Sequence, residues 1–175
     1  MAKKVAILAV NPVNGLGLFQ YLEPFFENGI SYKVFAVAES TQIKTNSGIA
    51  LQVDDVIANL KGKVNEFDAL VFSCGDALPK FSENAGKPEY QDLLAVIKTF
   101  GEKGKWIIGH CVGGLLFDIT GIAEGKKLAL HPFVKNAVKS AIGTEEAFVV
   151  DGNFYTAQTE ATLHLLIPEL LKVLK

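Results

Sequence analysis

The chain contains no arginine, so lysines supply all 17 of its basic residues. This absence removes the planar guanidinium group, which binds carboxylates and phosphates through two parallel hydrogen bonds. An anion would therefore have to be bound by lysines or by backbone N–H groups. The formal net charge at pH 7 is -2, which gives the chain no bulk attraction for nucleic acids or anionic membranes. We expect neither of these partners.

Cysteine is also scarce, and Cys74 and Cys111 are the two thiols of the chain. Two cysteines in 175 residues do not form the dense disulfide framework of small secreted domains. Apolar runs are short, and none reaches the ~18 residues that a membrane span requires. The first residues lead directly into the apolar segment Val5–Val10, without the longer apolar core and cleavage site of a signal peptide. The sequence therefore predicts a soluble, cytoplasmic protein.

Length and composition predict a single domain over residues 1–175. Hydrophobic residues make up 49% of the chain, which is enough to furnish a core. A domain of this size buries roughly 70% of its unfolded surface, so it needs no disulfide or metal to fold. No Cys/His spacing typical of zinc occurs, and we expect no metal site.

Apolar runs alternate with helical patterns along the chain, which is typical of a parallel sheet covered on both faces. Strands are predicted at 4–10, 32–38, 68–73, 106–108 and 128–130, hairpins at 41–51 and 148–157, and helices at 18–28, 53–60, 88–101 and 159–175. The sequence thus predicts an α/β three-layer sandwich. Its centre is a flavodoxin-like, doubly wound, mostly parallel sheet with helices on both faces.

Cys111 lies where the apolar strand Trp106–Ile108 turns into a helix, with Gly109 and Gly113 two residues away on either side. This G-x-C-x-G pattern is the cysteine version of the nucleophile elbow, a tight turn that exposes one side chain at a sheet edge. The N-terminus of the following helix would favour the thiolate over the thiol. The alternative is a cysteine that packs as a small buried hydrophobe.

His131 follows the predicted strand 128–130, so it also lies at the end of a strand. A thiolate requires a nearby base or cation, and histidine is the usual one. His131 is therefore a candidate partner of Cys111. The alternative is a turn histidine with a structural hydrogen bond.

Ligands of doubly wound sheets bind at the carboxyl ends of the strands. Loops 11–17, 74–76, 110–113 and 156–159 should therefore meet, which would bring both cysteines to one site. Cys74 is either a core residue or a redox partner that forms a disulfide with an oxidised Cys111. The candidate pocket and oxyanion-binding residues are Asn14, Gly17, Gly75, Asp76, His110 and Val112.

The segment 109–132, GHCVGGLLFDITGIAEGKKLALHP, resembles the ThiJ/PfpI superfamily, which includes the Parkinsonism-associated deglycase and the intracellular protease PfpI. The segment 67–76, FDALVFSCGD, resembles a second strand motif of that superfamily. The resemblance implies hydrolase or protease, glyoxalase or deglycase chemistry on small carbonyl or amide substrates. It also implies a Cys111 nucleophile, His131 as base or orienting cation, and a homodimer in which the first helix takes part.

Two positions depart from the superfamily pattern. The glutamate that usually accompanies the cysteine falls on Gly17, and Glu23, the nearest acid, is off that helix face. The protease branch has a histidine directly after the cysteine, where this chain has Val112, and His110 precedes the cysteine instead. These departures leave an alternative open: a catalytically incomplete protein that senses redox state or binds a small ligand, such as a flavin. Otherwise no cofactor is expected.

Overall fold

A computed structural model describes residues 3–175, and its centre is a seven-stranded sheet. The strands are β1 (Lys4–Val10), β2 (Ser31–Val37), β3 (Gln42–Lys44), β4 (Ala50–Gln52), β5 (Asp55–Val56), β6 (Ala69–Ser73), β7 (Trp106–His110), β8 (Lys127–Ala129), β9 (Ile142–Thr144), β10 (Phe148–Asp151) and β11 (Phe154–Ala157). The main sheet has the order β10-β11-β7-β6-β1-β2-β5, and only its β10–β11 pair is antiparallel. The other strands form the hairpin β3–β4 and the parallel pair β8–β9.

Helices cover both faces of the main sheet. They are α1 (Gly15–Glu27), α2 (Phe81–Asn84), α3 (Pro88–Glu102), α4 (Gly113–Ile119) and α5 (Leu163–Leu174). One core contains apolar side chains of α3 and α4, and the other contains those of α1 and α5. This arrangement confirms the predicted flavodoxin-like sandwich. Within residues 3–175, none of the helices combines the length and hydropathy needed to cross a bilayer.

Strand β1 shows why a continuous apolar run becomes a central strand. Ala6, Leu8 and Val10 point into one core, while Val5 and its alternate neighbours point into the other. All six side chains are fully buried, as expected for a parallel strand with helices on both faces. Truncation of Leu8 to alanine would cost about 2–5 kcal/mol of unfolding free energy.

Two predicted elements differ from the structure. The helix predicted at 53–60 is the short edge strand β5 followed by a 3₁₀ turn, Ile57–Asn59. Backbone pairing with β2 overrides the local helical pattern there, and the Asp55 carboxylate accepts hydrogen bonds from the Val56 N–H and the Asn59 amide. Helix α5 begins at Leu163 rather than at residue 159, because a separate turn precedes it. That turn contributes to the site.

Candidate functional site

The carboxyl ends of β1, β6, β7 and β11 lie side by side at a cavity of about 430 Å³. Its polar and sulfur-bearing lining residues are Asn14, Asn46, Cys74, Asp76, Cys111, His131 and Glu160, together with Gly75 and Val112. The loops 11–17, 74–76 and 110–113 therefore meet, as the sequence predicts. Glu160 lies one residue beyond the fourth expected loop, 156–159.

Cys111 occupies a tight turn between β7 and α4. Its φ of 58° makes it the one non-glycine residue of the described chain with a positive φ, a conformation that costs an L-residue roughly 1–2 kcal/mol. The Cys111 N–H donates to the Ala157 carbonyl at 3.2 Å, and its carbonyl accepts from the His131 N–H at 3.1 Å. The end of β11 and the segment after β8 thus hold the turn in place through backbone hydrogen bonds. A Cβ at Gly109 would lie 2.9 Å from the Phe117 ring, so close packing requires glycine there.

The protonation of Cys111 differs from the sequence-based expectation. Burial, followed by the charge of the Glu160 carboxylate, raises the thiol pKa to about 11, although the Val112 N–H partly opposes this shift. The expected lowering of the pKa is therefore wrong. Helix α4 has only seven residues, and burial outweighs any stabilisation of a thiolate by its N-terminus. At pH 7 roughly one thiol in 10⁴ would be ionised.

Glu160 is the functional candidate that sequence reasoning missed. It lies in the turn between β11 and α5, and its side chain is 19% exposed. One carboxylate oxygen lies 3.4 Å from Nε2 of His110, which is an ion-pair contact longer than a well-formed hydrogen bond. The interaction with His110 lowers the pKa of Glu160 despite its partial burial, and the nearby His131 acts in the same direction. Glu160 therefore places an ionised carboxylate in the cavity of Cys111.

Two buried side chains support Glu160 from behind. The His110 ring is fully buried, and its Nδ1 lies 2.9 Å from the hydroxyl of Tyr21, which is also fully buried. If the hydroxyl donates to Nδ1, the ring proton is on Nε2 and faces the carboxylate. The Gln20 amide donates to the Glu160 carbonyl at 2.9 Å. Two neighbouring residues of α1 thus fix the position of Glu160: Gln20 through the Glu160 backbone carbonyl and Tyr21 through the His110 ring.

Gly17 lies directly beside this pair. A Cβ at Gly17 would lie 2.6 Å from Nε2 of His110 and 3.3 Å from Cγ of Glu160. The Gly17 N–H donates to the Asn14 side chain at 2.8 Å, which caps α1. Gly17 thus contacts the residues next to the cavity but is not among those that line it. The inference that the site lacks a carboxylate is wrong, because Glu160 provides one from the opposite end of the chain.

His131 lines the cavity and is half-buried. Its Nδ1 accepts the Phe133 N–H at 3.2 Å, and the two rings pack with centroids 4.9 Å apart. This hydrogen bond assigns the proton of the neutral ring to Nε2. In that tautomer Nε2–H of His131 is a potential donor, and the other ring nitrogen already accepts the Phe133 N–H. The geometry supports an orienting role better than the alternative role of base.

The oxyanion donors predicted from sequence have different surroundings. The Asp76 N–H donates to the Asn46 side chain at 3.1 Å, and the Asp76 carboxylate accepts from the same amide at 3.0 Å. Asp76 is thus unavailable as a backbone donor. Val112, the residue that precedes α4, lines the cavity, and its role as a backbone donor stays a prediction. A Cβ at Gly75 would lie 2.1 Å from the Pro12 carbonyl, and its role as a donor stays a prediction.

Cys74 lines the same cavity but is almost completely buried. Its thiol donates to the His110 carbonyl at 2.8 Å. Burial, followed by the neighbouring Cys111, raises its pKa well above the ordinary value. Both cysteines are free, and a redox partnership between them stays a prediction.

Comparison with known proteins agrees with this architecture. The DJ-1/PfpI family model matches residues 3–173. Protein ppBat of Bacteroides thetaiotaomicron is 64% identical over 175 residues, which cover 100% of both chains. The crystal structure of a candidate protease I from the same organism has a TM-score of 0.98 at 64% identity and covers 99% of this chain and 100% of that one.

More distant structures share the fold. Oxidized Toxoplasma gondii DJ-1 has a TM-score of 0.85 at 17% identity, covering 99% of this chain and 91% of that one. Drosophila melanogaster DJ-1beta has a TM-score of 0.84 at 19% identity, covering 99% and 91%. The family match across nearly the whole chain confirms the resemblance found in the sequence. The chain belongs to the DJ-1/PfpI family.

Proposed function

We propose that this protein is a cysteine-dependent enzyme of the hydrolase, glyoxalase or deglycase type, in which the Cys111 thiol adds to the carbonyl carbon of a small substrate. The observation that carries this proposal is the pairing of two groups in one cavity. Cys111 occupies a positive-φ turn of the nucleophile-elbow kind, and the ionised Glu160 carboxylate lines the same cavity.

The addition step requires the thiol proton to leave as the bond forms. The Cys111 sulfur bonds to the carbonyl carbon, and the π electrons of the carbonyl move to its oxygen. A separate thiolate would be costly, because the thiol pKa is about 11 and that of Glu160 is lowered. Glu160 therefore accepts the proton in concert with attack and passes it to the carbonyl oxygen. Once protonated, Glu160 no longer opposes charge on the sulfur.

The remaining groups orient and polarise the substrate. Nε2–H of His131 is available to donate to the carbonyl oxygen, since Nδ1 accepts the Phe133 N–H. The backbone N–H of Val112, which lines the cavity next to Cys111 in the chain, would be a second donor for developing negative charge. Tyr21 and His110 keep the Glu160 carboxylate in place. Each of these residues thus has a distinct role.

The redox-sensing alternative has less support. Its premise was a cysteine without a carboxylate partner, and Glu160 removes that premise. Oxidation by peroxide proceeds through the thiolate, and the raised pKa of Cys111 keeps this form rare at pH 7. A flavin-like ligand stays a prediction from the sequence.

A substrate panel with matched variants tests the proposed function. It contains an activated neutral ester, a dicarbonyl and a small amide, each followed by product formation. The wild type and Cys74→Ala should turn over at least one of them, whereas Cys111→Ala should turn over none. Equal turnover by Cys111→Ala would refute the proposal. So would a wild type that turns over no substrate of the panel while peroxide oxidises its Cys111 faster than free glutathione.

We further propose a homodimer formed through α1 and α5. Leu16, Phe19 and Phe26 of α1 are 64%, 42% and 74% exposed, and Leu165 of α5 is 43% exposed. Exposed large apolar residues on adjoining helices are typical of an interface. Light scattering after size exclusion should show a dimer that Phe26→Asp weakens and Phe133→Asp, at the cavity mouth, does not. A monomeric wild type at micromolar concentration would contradict this.

A further inference from the structure

The walls of the Cys111 cavity are largely apolar. Nine apolar residues contribute to them: Leu78, Pro79, Phe81, Val112, Leu115, Leu116, Ile119, Phe133 and Val134. Two apolar residues that line the cavity remain open to solvent, with Ile119 52% and Phe133 91% exposed. Apolar walls with exposed apolar residues at the mouth favour an occupant that covers them with apolar surface of its own.

The charges at the cavity have one sign. Glu160 and Asp76 are its acidic lining residues, and no lysine lines it among residues 3–175. Arginine is absent from the whole chain. A carboxylate or phosphate on the substrate would find no cationic partner and would be repelled by Glu160. The polar hydrogen-bond donors near Cys111 suffice for a carbonyl oxygen but leave no cation for a second anionic group.

From this combination we propose that the site takes neutral carbonyl compounds that carry an apolar group, and that it rejects their anionic counterparts. The carbonyl carbon would lie at the Cys111 sulfur, and the apolar group would pack against Leu115, Phe81 and Val134. This inference rests on the proposed function and narrows it to one substrate class.

Two p-nitrophenyl esters test the inference as a matched pair. p-Nitrophenyl butyrate and p-nitrophenyl hemisuccinate have the same leaving group, and they differ in a methyl group against a carboxylate. The Cys111 thiol adds to the ester carbonyl, p-nitrophenolate leaves, and the thiol proton goes to Glu160 and then to solvent. Each rate is divided by the rate of free glutathione with the same ester. We expect the butyrate to be favoured at least tenfold; equal rates, or a preference for the hemisuccinate, would overturn the inference.

A single added cation should weaken this preference. Ile119→Lys places an ammonium group at the mouth, and because Ile119 is half-exposed the change should leave the fold intact. The hemisuccinate rate should rise at least fivefold relative to the butyrate rate. Ile142→Lys is the matched control, since it makes the same change at an exposed isoleucine of β9 that does not line the cavity, and it should leave the ratio unchanged. An equal response of both variants would overturn the inference, because bulk charge would then explain the selectivity.

Alkylation distinguishes failure of this inference from failure of the proposed function. Iodoacetamide and iodoacetate transfer similar groups to the Cys111 sulfur with loss of iodide, and they require no turnover. Peptide-resolved mass spectrometry separates Cys111 from Cys74. After division by the glutathione rates, iodoacetate should be at least tenfold slower. If neither ester reacts but this selectivity holds, the proposed function fails, while the preference of the site for neutral compounds stands. Without the selectivity, the inference fails.

Discussion

Glu160→Gln should lower both the pKa of Cys111 and the turnover rate, so that the thiol becomes easier to alkylate while catalysis slows. The substitution removes the carboxylate charge, which is the second cause of the raised thiol pKa after burial. A charge within ~4–6 Å shifts a pKa by about 1–3 units. We expect a fall of about one unit from the value of about 11, with burial keeping the pKa above that of a free thiol. Alkylation by iodoacetamide at pH 7 should become about tenfold faster.

Turnover should fall in the same variant, because the amide cannot accept the thiol proton. Loss of a general base costs about 10²–10⁴-fold in rate. Thiolate absorbance against pH measures the pKa, and ester hydrolysis measures turnover. Glu169→Gln is the control, since that carboxylate pairs with Lys172 on the surface of α5. An unchanged or higher Cys111 pKa in Glu160→Gln would refute the account of the carboxylate, and undiminished turnover would refute its role as base.

Two further predictions concern the support of the site. Asp118→Ala should lower the unfolding free energy by about 2–4 kcal/mol, because the buried carboxylate accepts four hydrogen bonds from residues 139–141. These bonds lower the Asp118 pKa. The difference in unfolding free energy between the wild type and the variant, measured by urea denaturation, should therefore be complete above pH ~4 and shrink as the pH falls through the lowered pKa. No difference at pH 7 would contradict this. Gly17→Ala should reduce turnover at least tenfold by displacing His110 and Glu160, and wild-type kinetics would show that the pair tolerates displacement.

Most of the fold was predictable because it depends on local patterns. Strand β1 has the bounds read from its apolar run, Lys4–Val10, and the positions of the glycines around Cys111 predicted the strand-to-helix turn. The strand β5 was not predictable, because its two residues are set by pairing with β2 rather than by their own pattern. The same holds for β9, which pairs with β8.

The partner of Cys111 was missed for a different reason. Glu160 is far from Cys111 in sequence, and only the order of β11 beside β7 brings it to the cavity. The superfamily pattern directed attention to α1, where Gly17 provides space and not a carboxylate. The expected loop after β11, 156–159, ends one residue short of Glu160. Burial, which dominates the Cys111 pKa, has no signal in the local sequence.

Attack of Cys111 on a substrate carbonyl would leave an acyl group on the sulfur, and this covalent intermediate can be detected directly. The measurement mixes the protein with excess p-nitrophenyl butyrate and follows p-nitrophenolate release within the first turnover, with peptide mass spectrometry of the quenched sample. We expect a burst of one p-nitrophenolate per protein chain and a butyryl thioester on Cys111. Both should be retained in Cys74→Ala and absent in Cys111→Ala. A burst that persists in Cys111→Ala, or no acylation of Cys111 in the wild type, would contradict this mechanism.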